Sequence, residues 1–159
     1  MKKRYIKYFI IVILLTFLDQ LTKYIVVNSF NVGEMKILIN NFLKFYYIRN
    51  TGASFGIFSN QNIFLIVLTL LLVIYIIYDT FKSKKSNIRF ISTALILSGA
   101  FGNLIDRVLR KYVVDFISFT LFNHEMAIFN VADIYITFGV LLYIYIIFME
   151  GKYERNSSK

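Results

Sequence analysis

The sequence predicts an all-α membrane bundle of four transmembrane helices, with a small β-rich extracytoplasmic subdomain between spans one and two. Three observations predict it. Of the 159 residues, 58% are hydrophobic, more than a soluble domain this small can hide behind a polar surface. Four apolar stretches, with their flanks, approach the ~20 residues that cross ~30 Å of hydrocarbon. Between the first two, short apolar and aromatic runs flank a pair of asparagines, Asn40-Asn41, as in a hairpin.

The first span covers about 5–27 and is interrupted by Asp19 and Lys23. Its basic start, Met1-Lys2-Lys3-Arg4, resembles a cleavable signal peptide. No small-residue cleavage site follows, and the run continues past both charges, so it reads as a span. The second, about 61–81, is free of charge from 63 to 78. The third, about 88–107, ends in a polar cluster, and the fourth covers about 132–149. The chain has no proline, so no proline kink is expected. Residues 1–159 read as a single integral membrane domain, with extracytoplasmic segments at about 28–60 and 108–131. In the first segment, 35–39 and 42–48 form a hairpin at the membrane surface, with Tyr46 and Tyr47 at headgroup depth. In the second, 112–122 pairs with 126–129 across Asn123-His124-Glu125, leaving His124 as a turn residue.

The net charge is +9. In a soluble protein that excess would suggest nucleic acid. Here the basic residues flank apolar runs, which points to topology and anionic headgroups, and no nucleic-acid partner is expected. With the N-terminus in the cytoplasm, the inner segments carry Lys2, Lys3, Arg4, Lys7, Lys82, Lys84, Lys85, Arg89, Lys152, Arg155 and Lys159. The outer ones carry Lys36, Lys44, Arg49, Arg107, Arg110 and Lys111. This bias puts both termini in the cytoplasm. Asp79 beside Lys82 reads as a pair at a cytoplasmic helix end. The elaborated outer face is where chemistry is expected.

The chain has no Cys and one His, which excludes thiol catalysis, thiolate metal sites and a multi-histidine metal centre. An ionisable residue within a span costs roughly 2.5–3.5 kcal/mol at mid-helix, so its presence asks for a reason. Asp19 and Lys23 share one face of the first helix. At ~1.5 Å per residue they lie ~21 and ~27 Å from Tyr5, near the outer boundary. They read as a structural ion pair with a snorkelling lysine or as part of a site. Gly99, Asn103 and Arg107 form an i, i+4, i+8 stripe, and Gly99 and Gly102 permit close approach of a helix or a substrate backbone. Asn103 there is either interhelical glue or a site residue. Asp115 and Asp133 each sit among apolar neighbours at the outer ends of spans three and four. Asp133 is placed to cap the fourth helix. If folding brings the two together, repulsion and desolvation raise the pKa of one, and the pair shares a proton as in aspartic proteases.

Five motifs then stand in order: Asp19-Gln-Leu-Thr-Lys23, Arg49-Asn50-Thr-Gly-Ala-Ser-Phe-Gly56, Gly99-Ala-Phe-Gly-Asn103-Leu-Ile-Asp106-Arg107, Val114-Asp115-Phe116-Ile117 and Phe129-Asn130-Val131-Ala132-Asp133. Together they resemble the lipoprotein signal peptidases (signal peptidase II) over nearly the whole chain. The resemblance implies an aspartic endopeptidase of the bacterial plasma membrane. Such an enzyme removes the signal peptide of a diacylglyceryl-modified prolipoprotein just before the lipidated cysteine. It implies Asp115 and Asp133 as the catalytic pair. Asp19, Lys23, Asn50, Gly99, Asn103, Arg107, Asn130 and Ala132 match the positions that bind substrate or shape the site. It further implies no metal or organic cofactor, and action on lipidated prolipoproteins among membrane lipids; a monomer is expected. One departure is Ile134, where many members have a serine.

Two rivals are worth keeping in view. A Ser-Lys peptidase would pair Lys23 with Ser54 or Ser98, although Asp19 one turn away favours the charged lysine. A small proton-coupled transporter or channel subunit also places charges within spans. Its pathway should be lined at several depths, whereas these polar residues gather at one end, and no inverted repeat is evident.

Overall fold

The computed structural model describes residues 2–53, 57–83, 86–122 and 124–157. The elements run α1 (Lys2–Ser29), β1 (Met35–Ile39), β2 (Leu43–Asn50), α2 (Asn62–Lys82), α3 (Asn87–Leu109), β3 (Val113–Leu121), β4 (His124–Glu125) and α4 (Val131–Ser157). All four helices are long and apolar enough to cross a membrane, so the chain is a multi-pass membrane protein. Their outward faces are leucine, isoleucine and phenylalanine, as at Ile13, Leu71, Ile74 and Phe148, which in lipid carry no exposure penalty.

α3 is the central helix and packs against the other three. Its buried positions are mostly small or hydroxylated: Ser92, Thr93, Ala94, Ser98, Gly99, Ala100 and Gly102. Where lipid is as apolar as leucine, association depends on close backbone approach and interhelical hydrogen bonds, which small residues allow. Ser92 Oγ donates to Gly139 O of α4 at 3.0 Å, and Thr16 Oγ1 of α1 donates to Ser98 O at 3.2 Å. An apolar cluster including Tyr8, Val12, Val73, Ile76 and Leu97 fills the half of the bundle nearer the termini.

The sheet differs from expectation in its location. It is one antiparallel sheet of order β1-β2-β3-β4. It therefore draws on both connections, α1–α2 and α3–α4, not on the α1–α2 segment alone. The expected first hairpin forms, with Met35 opposite Tyr46 and Ile37 opposite Lys44; Asn41 makes its turn at φ 57°, which asparagine tolerates well. β2 then pairs with β3, placing Ile48 opposite Asp115 and Asn50 opposite Val113. In the second hairpin β4 is only His124–Glu125, opposite Leu121 and Thr120, while Phe129 rejoins β3 at a single bridge to Ile117. His124 thus opens a short strand instead of sitting in a turn. A second apolar cluster, including Val26, Tyr47, Val114 and Phe116, fixes the sheet on the end of α1.

At the opposite end, Asp79 pairs with Arg89 at 2.6 Å and not with Lys82. Arg89 also bonds Glu150 at 2.5 Å, so one buried arginine joins α2, α3 and α4. Lys82 turns to the Tyr78 hydroxyl instead. The arginine prevails because its fork reaches two carboxylates on neighbouring helices at once.

Candidate active site

The start of α4 creates the site. Asn130 precedes the first helical residue, and its Oδ1 accepts the Asp133 backbone N–H at 3.2 Å. Asp133 Oδ2 in turn accepts the Asn130 backbone N–H at 3.1 Å. This is a reciprocal capping box with aspartate in the third position. The expected capping role thus falls jointly on Asn130 and Asp133. It leaves the Asn130 Nδ2 group facing the sheet, where it donates to Asp115 Oδ1 at 2.6 Å.

Asp115 enters from β3 and is 2% exposed. Its Oδ2 accepts Asn50 Nδ2 of β2 at 2.7 Å. One residue, Asn130, therefore bonds both carboxylates: Asp115 through its side chain and Asp133 through its backbone. Asn50 also stiffens the chain beyond β2, since its Oδ1 accepts the Gly52 N–H at 2.9 Å. The Gly52 carbonyl in turn accepts Arg107 Nη2 at 2.7 Å. Both acids, with Asn50, Asn103 and Arg107, line one cavity of about 500 Å³ whose other walls include Phe119, Met126, Phe129, Ile134 and Phe138. Burial, first, and then the negative charge of Asp133 push the Asp115 carboxyl up to about 7, against the pull of the Asn50 and Asn130 hydrogen bonds.

A second polar layer lies behind the first. Lys23 is fully buried and does not snorkel. Its ammonium bonds Asp19 at 2.9 Å and Asp106 at 3.2 Å, and donates to Asn103 Oδ1 at 2.9 Å. Because Lys23 has no acceptor atom, the Asn103 side chain must present its oxygen there and its Nδ2 elsewhere. That Nδ2 donates to Asp133 Oδ1 at 2.8 Å. The acids beneath also hold backbone: Asp19 Oδ1 accepts the Ala132 N–H at 2.9 Å, and Asp106 Oδ2 accepts the Val114 N–H at 3.0 Å. One charged cluster so positions the helix turn before Asp133 and the strand residue before Asp115.

The glycines serve this packing and do not line the cavity. A Cβ at Gly99 would strike the Ala132 carbonyl and Ile136 Cγ1, and one at Gly102 would strike the Asp19 carboxylate. Of the two kinds of approach that sequence allowed, the one seen at both glycines is that of a neighbouring helix. The Gly99, Asn103, Arg107 stripe does face one way: Gly99 meets Ala132, Asn103 meets Asp133, and Arg107 reaches the cavity. Of the serines proposed for a Ser-Lys pair, Ser98 donates to Ala94 O at 2.6 Å, and Ser54 lies outside the described residues.

The model of the family described as "Signal peptidase (SPase) II" matches residues 11–149. The chain belongs to the signal peptidase II family. It is 40% identical to the lipoprotein signal peptidase of Clostridium tetani over 147 residues, covering 91% of this chain and 94% of that one. To the lipoprotein signal peptidase of Shouchella clausii it is 42% identical over 152 residues, covering 95% and 99%. A bacterial membrane enzyme solved by the in meso method at 2.3 Å superposes with a TM-score of 0.85 at 34% identity, covering 91% of this chain and 89% of that one. By family the chain is a membrane peptidase, and nothing in these matches favours a transporter.

Two residues of this signal peptidase II cluster went unremarked as site residues in the sequence. Asp106 is the second acid on Lys23; its signal was its position seven residues after Gly99 and three after Asn103, on the buried side of α3. Gln20 bonds Gly102 O at 3.0 Å and Asp106 Oδ1 at 3.3 Å; its signal was its place inside the Asp19-Gln-Leu-Thr-Lys23 motif.

Proposed function

We propose that the chain is an intramembrane aspartic endopeptidase that removes the signal peptide of diacylglyceryl-modified prolipoproteins before the lipidated cysteine. The observation that carries this reading is the shared attachment of Asp115 and Asp133 to Asn130 within one cavity at the sheet end of the bundle. Asp133 is the ionised partner. It sits in the first turn of α4, where the helix dipole favours negative charge, and accepts two hydrogen bonds. Asp115, its carboxyl raised to about 7, carries the proton.

In the reaction Asp133 takes a proton from water as the water oxygen bonds to the scissile carbonyl carbon. Asp115 gives its proton to the carbonyl oxygen. The tetrahedral diol collapses when Asp133 returns its proton to the departing amide nitrogen and Asp115 recovers one from a hydroxyl, reforming a C=O. Arg107 Nη1 is buried without a partner among the described residues, so it has an N–H to give a substrate carbonyl. Asp19, Lys23, Gly99 and Ala132 shape the site from behind, while Asn50, Asn103 and Asn130 orient the acids. The cavity's apolar wall of Phe119, Met126, Phe129 and Phe138 suits a lipid-modified peptide.

The charge bias supports both termini in the cytoplasm and the site near the extracytoplasmic face, the depth at which a lipid-anchored cysteine holds its scissile bond. The purified chain, in a lipid mesophase, is expected to cut a synthetic peptide with diacylglyceryl cysteine before that cysteine and to leave the unlipidated peptide intact. Ser98→Ala should retain this activity. Equal cleavage of both peptides, or none, would overturn the substrate assignment.

A further inference from the structure

A second cavity, of about 350 Å³, lies between α1 and α3 at the end of the bundle that holds the termini. Its α1 wall is one face of the helix, Arg4, Lys7, Tyr8, Ile11 and Leu15. Facing it, α3 presents Phe90 and Ile91 and, one turn on, Ala94, whose small side chain leaves the depth of the groove. This face changes character along its length. Two cations stand at the rim, and beyond them the wall is hydrocarbon except for the Tyr8 hydroxyl, which donates to Thr93 Oγ1 at 3.2 Å.

The dimensions match one membrane leaflet. From Arg4 to Leu15 the helix rises ~16 Å at ~1.5 Å per residue, about half of a ~30 Å hydrocarbon core. The cations therefore lie at headgroup depth when the groove lies among acyl chains. Arg4 is already oriented: its guanidinium stacks on Phe90, 4.1 Å from the ring centre, and Nη2 donates to Asn87 Oδ1 at 3.0 Å. This fixes its plane while leaving most of its five N–H groups. Lys7 is exposed one turn further on. No acidic side chain lines the cavity among the described residues.

We infer that this groove binds an anionic phospholipid of the leaflet that holds the termini, with the phosphate on Arg4 and Lys7 and one acyl chain along Ile11, Leu15 and Ala94. A signal peptide helix is the poorer occupant, because its own basic leading segment would meet Arg4 and Lys7. The site lies at the far end of the molecule from Asp115 and Asp133, so it stands whether or not the peptidase assignment does.

The test is native mass spectrometry of the full chain released from nanodiscs made of equal parts phosphatidylglycerol and phosphatidylcholine with identical acyl chains. The wild-type chain should retain phosphatidylglycerol about 5- to 30-fold over phosphatidylcholine, the range for one or two cations acting on an anionic headgroup. Arg4→Gln with Lys7→Gln should bring that ratio near one while lipid of either kind is still retained. Ile11→Trp, which fills the groove and keeps both cations, should reduce retention of both lipids. A photo-crosslinking residue at position 91 should capture lipid. Equal retention by the wild type, a preference that survives the double substitution, or a crosslink at position 91 to a polypeptide would each overturn the proposal.

Discussion

Asp115 is the group whose titration most exposes the physics of the site. A carboxyl raised from its ordinary 3.8 to about 7 carries an ionisation penalty of about 4 kcal/mol, at about 1.36 kcal/mol per pKa unit. Burial supplies the larger part and the Asp133 charge the next. Asp133→Asn removes the second and keeps the first, so the Asp115 midpoint should fall but stay above 3.8. Infrared difference spectroscopy of the protonated carboxyl band, recorded from pH 4 to pH 9, reads this directly. The wild type should show a band lost with a midpoint near pH 7, absent in Asp115→Asn and shifted to lower pH in Asp133→Asn. The sign for stability follows. The folded state binds the Asp115 proton more tightly than the unfolded chain, so stability falls as pH rises from about 4 to about 7 and is level above that. An unmoved midpoint in Asp133→Asn would refute the electrostatic pairing of the two acids, and a wild type with no band at pH 6 would refute the raised carboxyl.

Other consequences are simpler to read. Lys23→Met leaves Asp19 and Asp106 buried without their shared cation and should cost about 3–5 kcal/mol, seen as a lowered unfolding midpoint in detergent. If the Asn103 amide then turns, activity should fall further than the loss of folded protein explains. Arg89→Met leaves Asp79 and Glu150 without their shared partner at the other end of the bundle. It should lower thermal stability while leaving kcat of the remaining folded protein within about twofold, because distant sites act nearly independently. Cleavage measured against pH should decline on the alkaline side with an apparent pKa near 7, as Asp115 loses the proton it must donate.

The four spans and the first hairpin were legible because both depend on local signals, unbroken hydropathy and a paired-asparagine turn. The pairing of β2 with β3 was not. Its two strands are separated by two helices, and only tertiary packing on Tyr47 and Val114 selects that register. Asp19 and Lys23 announced themselves as a pair through their i, i+4 spacing, but the third member did not. Asp106 stands four residues from Arg110, which it also bonds, and only the packing of α1 on α3 brings it to Lys23. Asp79 misled for the same reason: Lys82 is near in sequence, whereas Arg89 becomes its neighbour only when α2 and α3 fold together. Asn130 shows the complementary case. An asparagine three residues before an aspartate marks a helix start, yet nothing local says that its free amide will meet an acid on a strand fifteen residues earlier.

The most direct measurement is single-turnover cleavage of the diacylglyceryl peptide by Asp115→Asn and by Asp133→Asn, each shown to be inserted and folded by its unfolding midpoint. Loss of at least about 10³-fold in rate is expected for each, since neither acid can do the other's proton transfer. Rates near wild type in either folded variant would contradict the account.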